Sequence, residues 1–367
     1  MRAPIASLAL PWLALAVYAA CLYPFTGSPE AGGSPDTPIY LLMADYLAAF
    51  PGEPSRVARE VMAQAMFPPL HPLLLGLLGG SRGIAATHAF TATCLLAALV
   101  AMSRWLAANG TPRWQTWALP AFFALSPATL LVALESLSEN LYLLLSLLHL
   151  LAFTRATDAA ASAEERRAAL PFAALFVGLA VLSRSAGVAL LVAFAAGLIL
   201  RRTPGRVLWP LAAGTPIAVW LLVKELAGFA GTYGTAYASR LASLSPDHLE
   251  AAWRSFAAQI EALAGAWVRV FALHPSGFDT GIAVLVGVLA VAGCVWRLRE
   301  RRPDAVYVLL YLGVIVAWPF PAHATRFLYV VTPMLLLFAV DGAARVAALG
   351  VSREPWKALA QPALVAV

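Results

Sequence analysis

The chain has 367 residues, 61% hydrophobic and only 12% charged, with a formal net charge of +6. Its mean hydropathy is +0.78, and the charged fraction lies far below the roughly 25% of a soluble domain. These values exclude a soluble globular fold and leave an integral membrane protein. Apolar runs of about 20 residues separated by arginine-containing breaks are what a helical bundle in lipid requires, and their regularity favours helices over a barrel. The arginines fall mainly in short connections between apolar runs, so the basic balance reads as membrane topology and no nucleic-acid partner is expected. Cys21, Cys94 and Cys294 each lie inside an apolar run, with spacing that suits neither a disulfide framework nor a zinc site.

The first apolar run, 7–24, ends in Val17-Tyr18-Ala19-Ala20-Cys21. Tyr18 is too large for the small-residue pattern of signal cleavage, so an uncleaved span is expected. Further spans are expected over 84–107, 114–132, 140–154, 169–182, 186–200, 206–224, 279–296, 304–319 and 327–347, making about ten transmembrane helices in an all-α, polytopic fold. Arg2, Arg104, Arg113, Arg155, Arg166, Arg167, Arg201, Arg202, Arg206, Arg297, Arg299, Arg301, Arg302, Arg345, Arg353 and Lys357 then share one side. The positive-inside rule names that side cytoplasmic, with both termini on it. The expected location is the plasma (inner) membrane of a cell envelope.

Two long segments, 25–83 and 225–278, lie on the opposite, extracytoplasmic side with three short turns near 126–140, 183–185 and 319–326. In the first, Leu70–Leu78 is too short to span and reads as an interfacial helix. In the second, LEAAWRSFAAQIEALAGAWVRVFAL has the amphipathic pattern of a helix on the membrane surface. The one charged insert is Thr154–Arg167, so the chain is expected to be a single membrane domain over 1–367.

Chemistry is sought on the outer side, where polar residues interrupt apolar sequence. Asp36-x-x-x-Tyr40-x-x-x-Ala44-x-x-Leu47 puts Tyr40, Ala44 and Leu47 on one helix face with Asp36 at its start. Asp36 also suits a helix cap, and Asp45, on a different face, is a secondary candidate. Phe67-Pro68-Pro69-Leu70-His71-Pro72 begins a short apolar helix, in which His71 is either a packing residue or a ligand. In Glu135-Ser-Leu-Ser138-Glu139-Asn140, Ser138 suits the cap and Glu139 the first turn of the following helix. Arg184, in the tight hairpin Ser183-Arg184-Ser185, is costly in lipid unless it snorkels or is paired. Arg326, in Pro321-Ala-His323-Ala-Thr-Arg326, is a second arginine against the positive-inside pattern. Two arginines facing one outer pocket suit a phosphate, which the planar guanidinium grips in a fork; each also suits contact with lipid headgroups.

Taken in order, the aspartate motif at Asp36, PPLHPLLLGLLG, SPATLLVALESLSENLYLLLSLLHLLAF, GLAVLSRSAGVALL and HATRFLYVVTPMLLLFA resemble the GT-C superfamily of integral-membrane glycosyltransferases. The nearest branch contains protein O-mannosyltransferases and the lipid A aminoarabinose transferase. The resemblance runs over about residues 30–200 and 320–345. It implies interfacial helices in the first outer loop beside a cavity, and a polyprenyl-phosphate sugar as donor to a lipid, glycan or protein acceptor. The family's loop aspartate maps onto Asp36 as general base for an inverting transfer. Tyr40, His71, Glu139, Arg184, His323 and Arg326 are then the expected substrate-binding residues, with membrane lipids around them. No cofactor beyond the lipid-linked sugar is implied. Asp36 is followed by Thr37 where many relatives carry an acidic pair, so no residue is assigned to a metal and a metal requirement stays open. The chain stops soon after its last span, which suggests a small acceptor or a partner subunit. Two other classes share many of these features: a transporter or lipid flippase, and a noncatalytic subunit that binds polyprenyl lipids.

Overall fold

The structure, a computed structural model, describes residues 6–28, 30, 33–133, 135–158, 160–203, 205–229, 249–317 and 320–351. Its helices are α1 (Ala6–Leu22), α2 (Asp36–Ala48), α3 (Arg56–Gln64), α4 (Leu70–Leu77), α5 (Ile84–Ala108), α6 (Gln115–Leu125), α7 (Pro127–Val132) and α8 (Glu139–Ala156). They continue as α9 (Ala163–Ser183), α10 (Val188–Leu200), α11 (Leu208–Leu226), α12 (Leu249–Val268), α13 (Gly277–Arg299), α14 (Pro303–Val316) and α15 (Ala324–Val351). No strand occurs among the described residues. Every expected apolar run is mainly helical over its described residues.

Four helical stretches, Ile84–Ala108, Ala163–Ser183, Gly277–Arg299 and Pro321–Ala348, are long and apolar enough to cross a membrane, and Ser185–Leu200 and Pro303–Val316 are shorter apolar helices. The protein is a multi-pass membrane protein. The expected span 114–132 is two helices. Ser126 takes an extended conformation between them, and its hydroxyl accepts from the Thr129 N–H to cap α7, with Pro127 at the first helical position. The charged insert is shorter than expected because α8 runs on to Ala156 and a Ser162/Glu165 capping box opens α9 at Ala163.

The first loop holds three short helices, of which α3 was not expected. Ser55 caps it and its buried residues are Ala58 and Met62, but Arg56, Arg59 and Glu60 mask the apolar pattern. Helix α2 packs on α4, with Gly76 facing the Ala44 carbonyl so closely that a Cβ there would sit 2.9 Å from its oxygen. Asp45 is structural: its Oδ1 accepts from the Ser81 N–H at 2.9 Å, next to the left-handed Gly80. Of the second outer loop, residues 230–248 lie outside the described residues, and the expected surface helix is α12.

In the bundle, α13 and α15 cross in backbone contact. A Cβ on Gly293 would meet the Phe338 carbonyl oxygen at 1.8 Å, and one on Gly342 that of Leu289 at 2.1 Å. Small residues at such crossings let dispersion contacts accumulate where lipid offers no hydrophobic driving force. The interior is aromatic, with Trp105, Tyr142, Tyr307, Tyr311 and Tyr329 fully buried. Each buried tyrosine of α14 and α15 finds a partner: Tyr307 donates to the Tyr142 hydroxyl at 3.1 Å, Tyr311 to the Phe327 carbonyl at 3.0 Å and Tyr329 to Asn140 Oδ1 at 2.5 Å. These bonds tie the start of α15 to α8 and α14, which sets the frame of the site.

Candidate active site

Three helices begin at one place. Asp36 lies in the first turn of α2, Glu139 in the first turn of α8 and Arg326 near the start of α15, while Arg184 follows the last residue of α9. Carboxylates gain from the positive end of a helix and a cation gains from the negative end, so Asp36, Glu139 and Arg184 sit where the peptide dipoles favour them. Arg326 sits against its own helix dipole. The two carboxylates offset that cost.

Glu139 is the hub. Its side chain is wholly buried, and Oε1 alone receives Arg184 Nη1 at 2.7 Å, Arg326 Nη2 at 2.7 Å and Arg326 Nε at 2.8 Å. Arg326 reaches further, from Nη2 to Asp36 Oδ2 at 2.9 Å and from Nη1 to Ser34 Oγ at 2.8 Å. Two guanidinium cations and two carboxylate anions therefore pair with one another at one place. Among the described residues Arg184 has no carboxylate partner but Glu139, so removing that carboxylate would leave its cation uncompensated at a cost of several kcal/mol.

The expected site residues fall into three groups. Asp36, Glu139, Arg184 and Arg326 come together directly. Tyr40 and His71 support them from behind: Tyr40 is buried, shares a 3.0 Å hydrogen bond with Ser138 Oγ and meets the His71 ring edge-on at 5.0 Å between centroids. His71 Nε2 lies 3.5 Å from the Ser136 carbonyl, and burial pushes its imidazole down to about 4, so the ring is neutral at physiological pH. His323, half-buried just before α15, packs against the Phe320 and Phe327 rings.

Two capping expectations are corrected. Ser138 occupies the cap position of α8, yet its hydroxyl makes no cap bond; it faces Tyr40 and receives Arg184 Nη1 at 3.4 Å. Asp36 is the first helical residue, not the cap: Ser34 Oγ accepts the Asp36 N–H at 3.3 Å, and the Asp36 carboxylate is given to Arg326. Ser34 and Glu135 are site residues to which the sequence reading gave no role. Glu135 accepts from the Gly33 and Ser34 N–H groups at 3.1 and 3.4 Å and so fixes the loop that carries Ser34. Their signal in the sequence was only that of turn residues.

The site is not saturated. Asp36 is a quarter exposed, and its Oδ1 has no partner among the described residues. Glu139 Oε2 is buried without a hydrogen bond, as is Thr37 Oγ1. The Nε and Nη2 groups of Arg184 donate to nothing among the described residues, although its guanidinium lies over the Phe327 ring at 5.3 Å. An accessible carboxylate oxygen thus shares the site with an arginine, Arg184, that has unused donors.

Fold and site together define a multi-pass, all-helical membrane protein with an acid–arginine site where short loop helices meet the bundle. No protein-family model and no characterised protein sequence matches the chain. Among solved structures it is similar to the oligosaccharyltransferase of Archaeoglobus fulgidus in its apo form, with 15% identity over 96% of this chain, 51% of that chain and a TM-score of 0.50. A second similar structure is ArnT from Cupriavidus metallidurans in the apo state, with 16% identity over 93% of this chain, 79% of that chain and a TM-score of 0.45. The chain spans about half the length of the archaeal enzyme. Both belong to the GT-C superfamily, and the likeness to the archaeal enzyme is one of fold.

Proposed function

We propose that the protein is a membrane glycosyltransferase that moves a sugar from a polyprenyl-phosphate donor to an acceptor hydroxyl, with Asp36 as general base. The observation that carries this reading is the ion-paired set Asp36–Arg326–Glu139–Arg184, in which Asp36 Oδ1 and the remaining donors of Arg184 are unused. The GT-C-like fold supports it. Ten spans, with both termini cytoplasmic and the site on the extracytoplasmic face of the plasma membrane, complete the proposal.

In the reaction, the acceptor O–H gives its proton to Asp36 Oδ1 while its oxygen attacks the anomeric carbon of the donor sugar. The bond from that carbon to the phosphate oxygen breaks, and the polyprenyl phosphate leaves with the electron pair. One displacement without a covalent intermediate inverts the anomeric centre, by the same logic as inverting glycosidases. Arg184 faces the leaving phosphate with its unused Nε and Nη2. Arg326, whose donors are already committed to Asp36, Glu139 and Ser34, holds the base in place. Stabilisation of developing charge by preorganised donors is strongest where water is scarce, and Glu139 supplies the preorganisation by anchoring both guanidinium groups from behind. Tyr40, His71 and His323 shape the walls of the site.

The test is transfer from a panel of radiolabelled polyprenyl-phosphate sugars in membranes containing the wild type or Asp36→Asn. Transfer by the wild type alone supports the class and the base and identifies the donor. Equal turnover by both removes Asp36 from the chemistry.

A further inference from the structure

A cavity of about 540 Å³, lined in part by Thr154, Asp158, Arg201, Glu300, Arg302 and Asp304, opens where the C-terminal ends of α5, α8 and α10 meet the N-terminus of α14. Along α8, Thr154 lies about 22 Å from Glu139 at the ~1.5 Å rise per residue, so this cavity is at the other end of the bundle from the acid–arginine site. Most of its charges are spent within the protein. Asp304 is held by Arg297, and Glu300 accepts from Trp296, Arg302 and Arg345.

Arg201 is different. It has no ion pair or side-chain hydrogen bond among the described residues, and its Nε is buried. Burial, and after it the like charge of Arg302 nearby, lower its pKa, against a smaller opposing pull from Asp304. A buried guanidinium N–H without an acceptor is costly, and an anion placed between the two arginines removes that cost. The exposed Asp158 on the same wall opposes a second negative charge, which favours a monoanion over a dianion.

We propose that this cavity is a second ligand site that binds a phosphodiester monoanion, with Arg201 and Arg302 sharing its non-bridging oxygens. A phospholipid headgroup and a soluble phosphodiester offer the same group.

The experiment is a binding titration of the purified, delipidated full chain with three probes: short-chain phosphatidylglycerol, glycerophosphoglycerol and inorganic phosphate. The wild type is expected to bind a phosphodiester, and Arg201→Gln to bind it about tenfold more weakly, the loss of one charged hydrogen-bonding partner. Competition by glycerophosphoglycerol would make the phosphodiester alone sufficient; binding of the lipid without such competition would make the headgroup at the membrane the ligand. Arg302 is partly exposed, so Arg302→Gln serves if Arg201→Gln does not fold, with weakened binding again expected. Unchanged phosphatidylglycerol binding in the folded variants overturns the proposal, as does a wild type that binds neither phosphodiester or prefers inorganic phosphate to both.

Discussion

The protein buries arginine–carboxylate networks at both ends of its bundle, and they are built differently. At one end Arg297 pairs with Asp304 through Nη2, with Asp341 at 2.6 Å and with Asn109 Oδ1 at 2.7 Å, while its guanidinium lies over the Phe338 ring at 5.5 Å. This cluster ties α5, α13, α14 and α15 together, and both members of its Arg297–Asp304 pair are almost fully buried. At the other end, Glu139 gathers two arginines on one oxygen and leaves the other orphaned, and Asp36 stays a quarter exposed with an oxygen to spare. A network in which every donor has its acceptor holds a fold. One that leaves a buried carboxylate oxygen and arginine donors unused has groups to spare for a ligand, as the proposed function requires, although Asp341 at the other end is also partly exposed.

The sharpest break of this comparison is Asp36→Asn. Loss of a positioned general base is expected to lower transfer by about 10²- to 10⁴-fold, with donor binding retained, measured as initial transfer rates beside donor affinity. Arg297→Ala should do the reverse. Stranding Asp304 and Asp341 is expected to cost about 3–5 kcal/mol of stability, read by denaturant unfolding in micelles, with donor affinity of the folded fraction unchanged. A large affinity loss in folded Arg297→Ala would mean that the two ends are not separable.

Arg184→Ala sharpens the same contrast. Its unused donors predict donor binding weakened by about 10- to 100-fold, the worth of a charge-assisted hydrogen bond, while a donor analogue without phosphate binds as before. His71 predicts a pH signature. Its folded-state value is depressed to about 4, below the ordinary 6.5, so the unfolded chain binds a proton in that window that the folded chain does not. Stability should fall as pH drops from about 6.5 towards 4, by up to about 1.4 kcal/mol per pH unit, and His71→Gln should flatten that slope. Tyr40→Phe is the mildest change. Loss of its bond to Ser138 should cost about 1 kcal/mol, checked by the unfolding midpoint, with transfer largely kept.

The helices were legible from composition and periodicity because a segment in lipid must satisfy its own backbone and be apolar along its length. The capping reading of Asp36 and Ser138 misled for a local reason: capping is judged from neighbours in sequence, while Arg326 and Arg184, which take up these side chains, lie far away along the chain. Ser34 and Glu135 were given no role because a turn serine and a turn glutamate have no period to betray them. Helix α3 escaped notice because its charged residues outnumber its buried ones.

By itself the sequence determined the membrane class, the positions of the apolar helices and the presence of two arginines that a bilayer would not tolerate alone. It also singled out Asp36 and Glu139. Only the tertiary structure decided that these four side chains meet, that Glu139 joins the arginines and that Arg326 alone spans to Asp36. The reason is physical: hydrophobic runs and dipoles act within a helix and can be read along it, whereas an ion pair is set by how three helix starts converge in space.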